Sequence, residues 1–390
     1  MPDGGDSVTI KVVDEIDAVA AADWDACAGP DNPFVSHAFL KALEDSGAVD
    51  AKTGWLPQHL VMEDAKGHVI GCVPAYIKSH SYGEYVFDWG WAEAFERAGG
   101  RYYPKLQVSV PFSPVTGPRL LVRPGGDTAA RRNALITGLM EVAKRARVSS
   151  LHITFPTEEE WKVLGEAGLM QRVGQQFHWH NRGYSTFDDF LAQLTSRKRK
   201  SIRKERREAN AEVKIETLSG DDLKPRHMDA FYEFYMNTVG RKWANDYLNQ
   251  GFFRRLQATL ADKIVLVLAS HDGDYVAGAI NLCGSDTLFG RNWGCSERFR
   301  MLYFECCFYR AIDYAIEHKL PKVEAGAQGP HKISRGYLPS PTYSAHWIRD
   351  PNFRTAVADF VKRERRQIEY QMEALEEERS PYRHDNPGEG

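Results

Sequence analysis

Two stretches of the chain read alike, and that repeat limits the fold more than any other feature. In the first, HLVMEDAKGHVIGCVPAYIKS (59–79) holds two apolar runs around a Lys-Gly turn, and YVFDW (85–89) follows as a third strand. After a loop containing PFSPVTGP comes a helical pattern, Leu135, Leu139, Val142 and Ala146, and then the strand VSSLHITF. In the second, KIVLVLASHDGDYVAGAINLC (263–283) again gives two strands, here around an Asp-Gly hairpin turn. TLFGRNWG is the third strand, Leu302, Cys306, Tyr309, Ile312, Ile316 and Leu320 lie at helical spacing, and KVEAGA is the closing strand. Each half therefore reads as antiparallel meander, helix, strand. A helix that returns the chain to its sheet adds a parallel neighbour. The pattern predicts an α/β (α+β) protein of two tandem mixed-sheet units with flanking helices, 1–182 and 183–375. A long C-terminal helix lies over NFRTAVADFVKRERRQIEYQMEALEEERSPYR, and 376–390 is expected to fray.

Composition narrows the function classes. With 390 residues, 43% hydrophobic and 26% charged, the chain can bury sizeable cores. A net charge of −3 excludes a nucleic-acid coat, which needs a basic excess. The longest apolar run, IVLVLA, is far short of the roughly 20 residues a membrane helix needs. The N-terminus is acidic and polar, so no secretory signal is expected and a cytoplasmic location is. The six cysteines form no CxxC pair, which predicts free thiols and no metal site. The balanced total hides SRKRKSIRKERR (196–207), inside a basic helix placed at 190–212. This run carries +7, so the remaining residues carry −10. It suits a phosphate contact on tRNA, a nucleotide donor or an anionic lipid surface, or else a solvated face neutralised by Glu373, Glu376, Glu377 and Glu378.

Longer strings carry a resemblance. VEAGAQGPHKISRGYLPSPTYSAHW, NPFVSHAFLKALEDSG, TGWLPQHL, YVFDWGWAEAF, YYPKLQVSVPFSPVTGPRLL, LHITFPTEEEW, GRKWAN and LFGRNWGC are similar to the FemAB-like group of N-acyltransferases, over roughly residues 30–365. That group is a set of duplicated relatives of the GCN5-related N-acetyltransferase (GNAT) fold. The resemblance implies two GNAT-like halves and transfer of an acyl group from acyl-CoA (acetyl-CoA) to an amine acceptor. Two alternatives stay beside it: an aminoacyl-tRNA-dependent transferase acting on a peptidoglycan precursor, and a non-catalytic protein that binds a peptidoglycan fragment. Ordinary GNAT enzymes carry a glycine-bearing pyrophosphate loop before the central helix. Here that stretch is SERFRMLYFE, without glycine.

Candidate residues fall in three places. The polar segment Gly326–Tyr337 follows the last strand of the second half and offers Gln328, His331, Lys332 and Arg335 for the acceptor. Glu324 lies on that strand, on the opposite side from Val323 and Ala325. An attacking ammonium must first lose a proton, so His331 or Glu324 is the expected base, with Tyr337 or Tyr343 protonating the leaving group. In a GNAT-type fold the strand TLFGRNWGC would meet the donor. This puts Arg291, Asn292 and Trp293 there, backbone N–H groups as oxyanion donors, and Arg298 and Arg300 on donor phosphates. In the first half, Asp88, Trp91 and Tyr103 are substrate-binding candidates within an aromatic stretch that also holds Trp89, Tyr102 and Lys105. His37 reads as structural. His152 holds the place in the first half that Glu324 holds in the second.

Overall fold

The computed structural model describes residues 8–241, 247–297, 299–326 and 329–383. The chain forms two α/β units. Unit 1 is Met1–Gly174 with Pro341–Ile368, and unit 2 is Gln175–Ser340 with Glu369–Gly390. The segment 341–368 thus belongs with the first unit, although the sequence expectation cut the chain once, at 182.

Along unit 1 run β1 (Thr9–Val13), α1 (Ala21–Ala28), α2 (His37–Asp45), β2 (Trp55–Pro57), β3 (His59–Glu63), β4 (Val69–Val73), β5 (Ala75–Lys78), α3 (Trp89–Arg97), β6 (Lys105–Val108), β7 (Leu121–Val122), α4 (Thr128–Arg145), β8 (Ser150–Thr154) and α5 (Glu158–Glu166). The hairpin β3–β4 lies in a four-stranded sheet ordered β1-β3-β4-β7. Pro74 stands between β4 and β5; lacking an N–H, it ends one ladder, and β5 joins a different sheet. The stretch expected as a third strand, YVFDW, is not one. Its residues lead into α3, and the strand that pairs with β5 is β6. β6 and β8 are parallel, as expected of a strand reached through a helix, and Leu135, Ile136, Leu139 and Ala143 of α4 are buried in a core with Leu106, Leu151 and Ile153. His37 is structural: its Nε2 lies within hydrogen-bond reach of the Ile16 and Val19 carbonyls.

The strand β9 (Met170–His180) carries the chain from unit 1 into unit 2. There follow α6 (Phe187–Ala192), α7 (Ser196–Ala209), β10 (Lys214–Leu218), α8 (Pro225–Arg241), α9 (Gln250–Leu260), β11 (Ile264–His271), β12 (Asp274–Cys283), β13 (Thr287–Cys295), α10 (Leu302–Phe304), a π-turn (Glu305–Tyr309), α11 (Arg310–Glu317) and β14 (Lys322–Glu324). The order β10-β11-β12-β13-β14-β9 is antiparallel except for the parallel pair β13–β14. Helix α11 buries Ala311, Ile312, Ala315 and Ile316 against Leu288, Val323 and Trp179. Each fully buried large apolar side chain is worth about 1.5–3 kcal/mol. A 3-10 turn, Pro330–Arg335, then leads to β15 (Leu338–Ile348) and α12 (Pro351–Arg379).

Two expectations are corrected here. The basic helix does not run unbroken over 190–212, because Thr195 separates α6 from α7. The tail does not fray from 376: α12 continues to Arg379, and Tyr382 is buried with its hydroxyl donating to the Gly336 carbonyl at 2.9 Å. Residues 384–390 lie outside the described residues.

Candidate functional site

The chemistry of unit 2 begins with the way two strands part. β13 and β14 pair over only three positions, Thr287↔Lys322, Leu288↔Val323 and Phe289↔Glu324. β14 then stops while β13 runs on to Cys295. On its other side, β13 steps from Asn292↔Ile280 to Gly290↔Asn281, a bulge at Arg291. Two glycines permit this. A Cβ on Gly290 would lie 3.2 Å from the Glu324 carbonyl, and one on Gly294 would lie 2.0 Å from the Phe234 carbonyl of α8. Past Phe289, the edge of β13 that faced β14 leaves its ladder. Ala325 and Gly326 still lie beside Gly290, and Arg291, Asn292 and Trp293 of β13 are half-buried.

Glu324 stands at the last paired position of β14. It is 2% exposed; its Oε1 accepts from Lys322 Nζ at 2.9 Å, while its Oε2 is buried with no hydrogen-bond partner among the described residues. A buried, unsatisfied carboxylate oxygen is costly and marks a place where a proton or a donor is expected. Opposite Glu324 in register stands His178 of β9, and opposite Lys322 stands His180. Burial holds the His178 imidazole down to about 4, so the ring is neutral at pH 7. Gln176, whose Oε1 is 3.2 Å from His178 Nε2, completes one polar strand face. The sequence reading missed these three. Their signal was the alternation QFHWH, in which Phe177 and Trp179 enter the core and the polar residues point the other way.

The loop beyond β14 places its residues unequally. His331 is exposed, with its ring 5.9–6.0 Å from those of Tyr303, Phe304 and Phe308. Partial burial first, then the charges of Lys332 and Arg335, lower its pKa, so a neutral imidazole is available as a proton acceptor. Lys332 is 2% exposed, donates from Nζ to the Gly326 carbonyl at 2.9 Å, and is brought by burial down to about 8.

Other assignments move. The charge of Arg335 is taken up by Glu205 at 2.9 Å. Tyr337 is fully buried and donates to the Phe308 carbonyl at 3.2 Å, so its proton is engaged in the core rather than aimed at a leaving group. Arg300 is exposed and pairs with Glu208 of α7 at 3.5 Å. Trp293 packs edge-on against Tyr303 at 5.6 Å. Arg298 and Gln328 lie outside the described residues.

Helix α7 spends part of its charge internally, on Asp188, Glu208, Glu305 and Asp313, and not on the glutamates of α12 named as its counter-charges. Arg197, Lys198, Arg199, Lys200 and Arg207 have no carboxylate within ion-pair distance among the described residues. Three of these five, Arg197, Lys198 and Arg199, lie in the first turn, where the helix dipole disfavours positive charge.

Unit 1 gathers its predicted residues around Lys105. This ammonium is wholly buried and donates to Ser81 Oγ and Glu84 Oε2, both at 2.7 Å, and to Asp88 Oδ2 at 2.5 Å. Tyr102 donates to the same Asp88 oxygen at 2.7 Å, and Tyr103 meets Ser81 at 2.8 Å. Burial opposes ionisation of Asp88, but the Lys105 ammonium and its hydrogen bonds prevail and hold the carboxyl well below its usual range. Burial lifts Glu84 to about 7 and brings Lys78, which faces Lys105 across β5–β6, down to about 7. Glu84 Oε1 and Asp88 Oδ1 remain buried without a hydrogen-bond partner among the described residues. The chain of contacts continues from Tyr102 to His152 (3.3 Å), from His152 to His346 (2.7 Å) and on to Ser344 (2.9 Å). Burial drives His152 down to about 3 and holds His346 well below the ordinary imidazole value.

Asp88 and Trp91 are therefore inner members of a packed network. Trp91 is 6% exposed, edge-on to His346 and stacked under the Arg172 guanidinium at 4.9 Å. Tyr103 keeps exposed surface. The loop that supplies Glu84 and Asp88 also presents Tyr82, Phe87 and Trp89 as exposed rings.

A family model described as FemAB-like, peptidoglycan biosynthesis/recognition, matches residues 15–384. Among solved structures, FemX aligns with a TM-score of 0.55 at 12% identity, over 87% of this chain and 98% of that one. L-PGS from Bacillus licheniformis aligns with a TM-score of 0.51 at 10% identity, over 86% of this chain and 98% of that one. No curated protein matches the chain. At such identities the structures speak for the fold, two GNAT-like units in tandem.

Proposed function

The chain belongs to the FemAB-like family of peptidoglycan biosynthesis/recognition proteins, and from that premise we propose that it is an N-acyltransferase whose chemistry runs in unit 2. It carries an acyl group from an acyl-CoA donor to an amine of a peptidoglycan-related acceptor. The observation that carries this reading is the parting of β13 from β14 after Phe289↔Glu324, with its bulge at Arg291. Main-chain N–H groups of 290–293 along the freed edge are suited to hold the carbonyl oxygen as it becomes an oxyanion, an effect typically worth 10²–10³ in rate per donor. The acceptor amine gives its proton to His331 or to Glu324 Oε2, a carbon–nitrogen bond forms, the carbon–sulfur bond breaks, and the CoA thiolate leaves. Neutral His331 is the stronger candidate because it faces solvent. Lys332 stays cationic up to about pH 8 beside it. In unit 1, Tyr103 and the exposed rings of its loop are read as the acceptor-facing surface, stiffened from behind by Asp88 and Trp91. Action in the cytoplasm fits this chemistry. Among the described residues no helix is long and apolar enough to cross a membrane.

The test is turnover on acyl-CoA with amine-bearing muropeptides, scored by the mass of the acylated product. His331→Ala and Glu324→Ala should each lower kcat by about 10²-fold or more, within the range of general acid–base effects. If both leave turnover unchanged, the assignment fails.

A second reading, an aminoacyl-tRNA donor, is favoured by the five cations of α7 that have no carboxylate within ion-pair distance among the described residues, and by the lack of glycine at the entry to α10. Activity destroyed by ribonuclease, and weakened by Lys198→Glu with Arg199→Glu, would select it. Insensitivity to both would select acyl-CoA.

A further inference from the structure

We propose that Glu205 and Arg206, neighbours on α7, are positioning residues that tie together two irregular segments of unit 2. One is the turn Pro330–Arg335. It lies between Gly329 at φ 122° and Gly336 at φ 92°, backbone conformations that only glycine adopts without strain. The turn has short backbone bonds of its own, Lys332 N–H to the Gly329 carbonyl at 3.1 Å and Gly336 N–H to the Ile333 carbonyl at 3.0 Å, and Ile333 is buried; its attachment to the rest of the unit is made by side chains. The other is the π-turn Glu305–Tyr309, an i→i+5 irregularity of the kind found at functional sites.

One carboxylate oxygen joins the two. Glu205 Oε2 accepts from Arg335 Nη2 at 2.9 Å and Nε at 3.2 Å, and from the Tyr309 hydroxyl at 2.5 Å. Arg335 passes the restraint on: its Nη1 donates to the His331 carbonyl at 2.9 Å, and its guanidinium lies 3.4 Å over the Phe304 ring. Arg206 fixes the π-turn from the same helix. Its Nε and Nη2 reach the two oxygens of Glu305 at 3.1 and 3.0 Å, and its Nη1 and Nη2 reach those of Asp313 at 3.2 and 2.5 Å. Glu305 is 0% exposed and is paired by both Arg206 and Arg310, so loss of either partner would be costly. Bidentate Arg–carboxylate pairs fix direction as well as distance, which is what a positioning element needs. His331 is thereby held against Tyr303, Phe304 and Phe308 by a residue 126 positions earlier in the chain, through Arg335.

The clamp can be tested without a substrate; its effect on turnover rests on reading unit 2 as the transfer unit. In the full chain, Glu205→Ala should release the turn. Amide exchange over 329–337 should accelerate by about tenfold or more, in keeping with local opening, while peptides of unit 1 keep their rates. The His331 ring resonance should titrate closer to the ordinary value near 6.5 as it loses its packing. Glu205→Gln, which keeps an acceptor oxygen, should fall between. Arg335→Lys, which keeps the charge and loses the fork, should reproduce the release even if Glu205→Ala folds poorly. Unchanged exchange and an unchanged His331 titration in both variants overturn the clamp, as does acceleration spread evenly through unit 2. Released exchange with unaltered kcat supports the clamp and counts instead against unit 2 as the transfer unit.

Discussion

In both units a short parallel pairing is followed by an antiparallel neighbour, and the polar residues fall in matching places. Unit 1 runs Gln107↔His152↔His346 across β6, β8 and β15; unit 2 runs Phe289↔Glu324↔His178 across β13, β14 and β9. Each places a titratable group on the middle strand and a neutral histidine beside it. The surroundings then diverge. Unit 1 surrounds its position with a closed network in which Lys105 is bonded three times. Unit 2 meets Glu324 with one ion pair, from Lys322, at the end of its strand, and the turn beyond it runs between Gly329 and Gly336 at positive φ. What differs is how the counter-charge is used: Lys105 is bonded three times within its network, whereas Lys322 bonds Glu324 once.

The largest effect should come from removing that counter-charge. Lys105→Met leaves Glu84 and Asp88 buried and uncompensated, and loss of one partner from a buried charge network costs about 3–5 kcal/mol. Glu324→Gln in unit 2 removes one ion pair, between the buried Glu324 and a Lys322 side chain that is 26% exposed, and should cost less, about 1–3 kcal/mol. Urea unfolding of the two variants measures both. Equal losses would erase the contrast between a thrice-bonded counter-charge and a singly bonded one.

Acid stability tests the histidines next. His178, depressed to about 4 from an unfolded value of 6.5, favours the fold fully above pH 6.5 and loses that contribution as pH falls through 4. The full term is about 3 kcal/mol. Glu84, raised to about 7, acts oppositely: its contribution is present below 4.5 and disappears as pH rises through 7. The two slopes therefore oppose one another between pH 4.5 and 6.5. His178→Gln should flatten the acid limb of the unfolding profile, and Glu84→Gln should steepen the net rise between pH 4.5 and 6.5. A profile indifferent to His178→Gln would mean that unit 2's polar face is wetter than its burial implies.

Much of this was legible in the sequence because hydrophobic period and turn chemistry are local. The meander 263–295, the helix 302–320 and the strand at Glu324 followed from alternation, an Asp-Gly turn and helical spacing. YVFDW failed because aromatic richness mimics a strand, while its Asp88 was needed by Lys105, seventeen residues away. The exchange of 341–368 between units was invisible, since nothing local in LPSPTYSAHWI says which sheet it joins. Arg335 and Tyr337 look like site residues in a list of polar loop positions. Only tertiary partners, Glu205 for one and the Phe308 carbonyl for the other, reveal that their donors are already engaged. Charge runs mislead in the same way: residues 196–207 are +7 on paper, yet Arg206 is bound to Glu305 and Asp313 from within the unit.

The smallest expected effect marks where unit 2's donor-facing edge ends. Sequence spacing put Arg300 on donor phosphates, whereas its guanidinium is 78% exposed and sits 3.5 Å from Glu208. A pair that long and that open to water contributes a few tenths of a kcal/mol at most, screened further by salt. Arg300→Ala should therefore shift the unfolding midpoint barely at all and leave KM for the donor within about twofold, the size of ordinary surface substitutions. A tenfold rise in KM without loss of stability would carry the donor path past Cys295 to the entry of α10, and the donor-facing edge of unit 2 would then be longer than the parting of its strands. An unchanged KM confines donor recognition to the bulged edge at 290–293 and to the loop that Glu205 holds, the part of the repeat that unit 1 keeps closed.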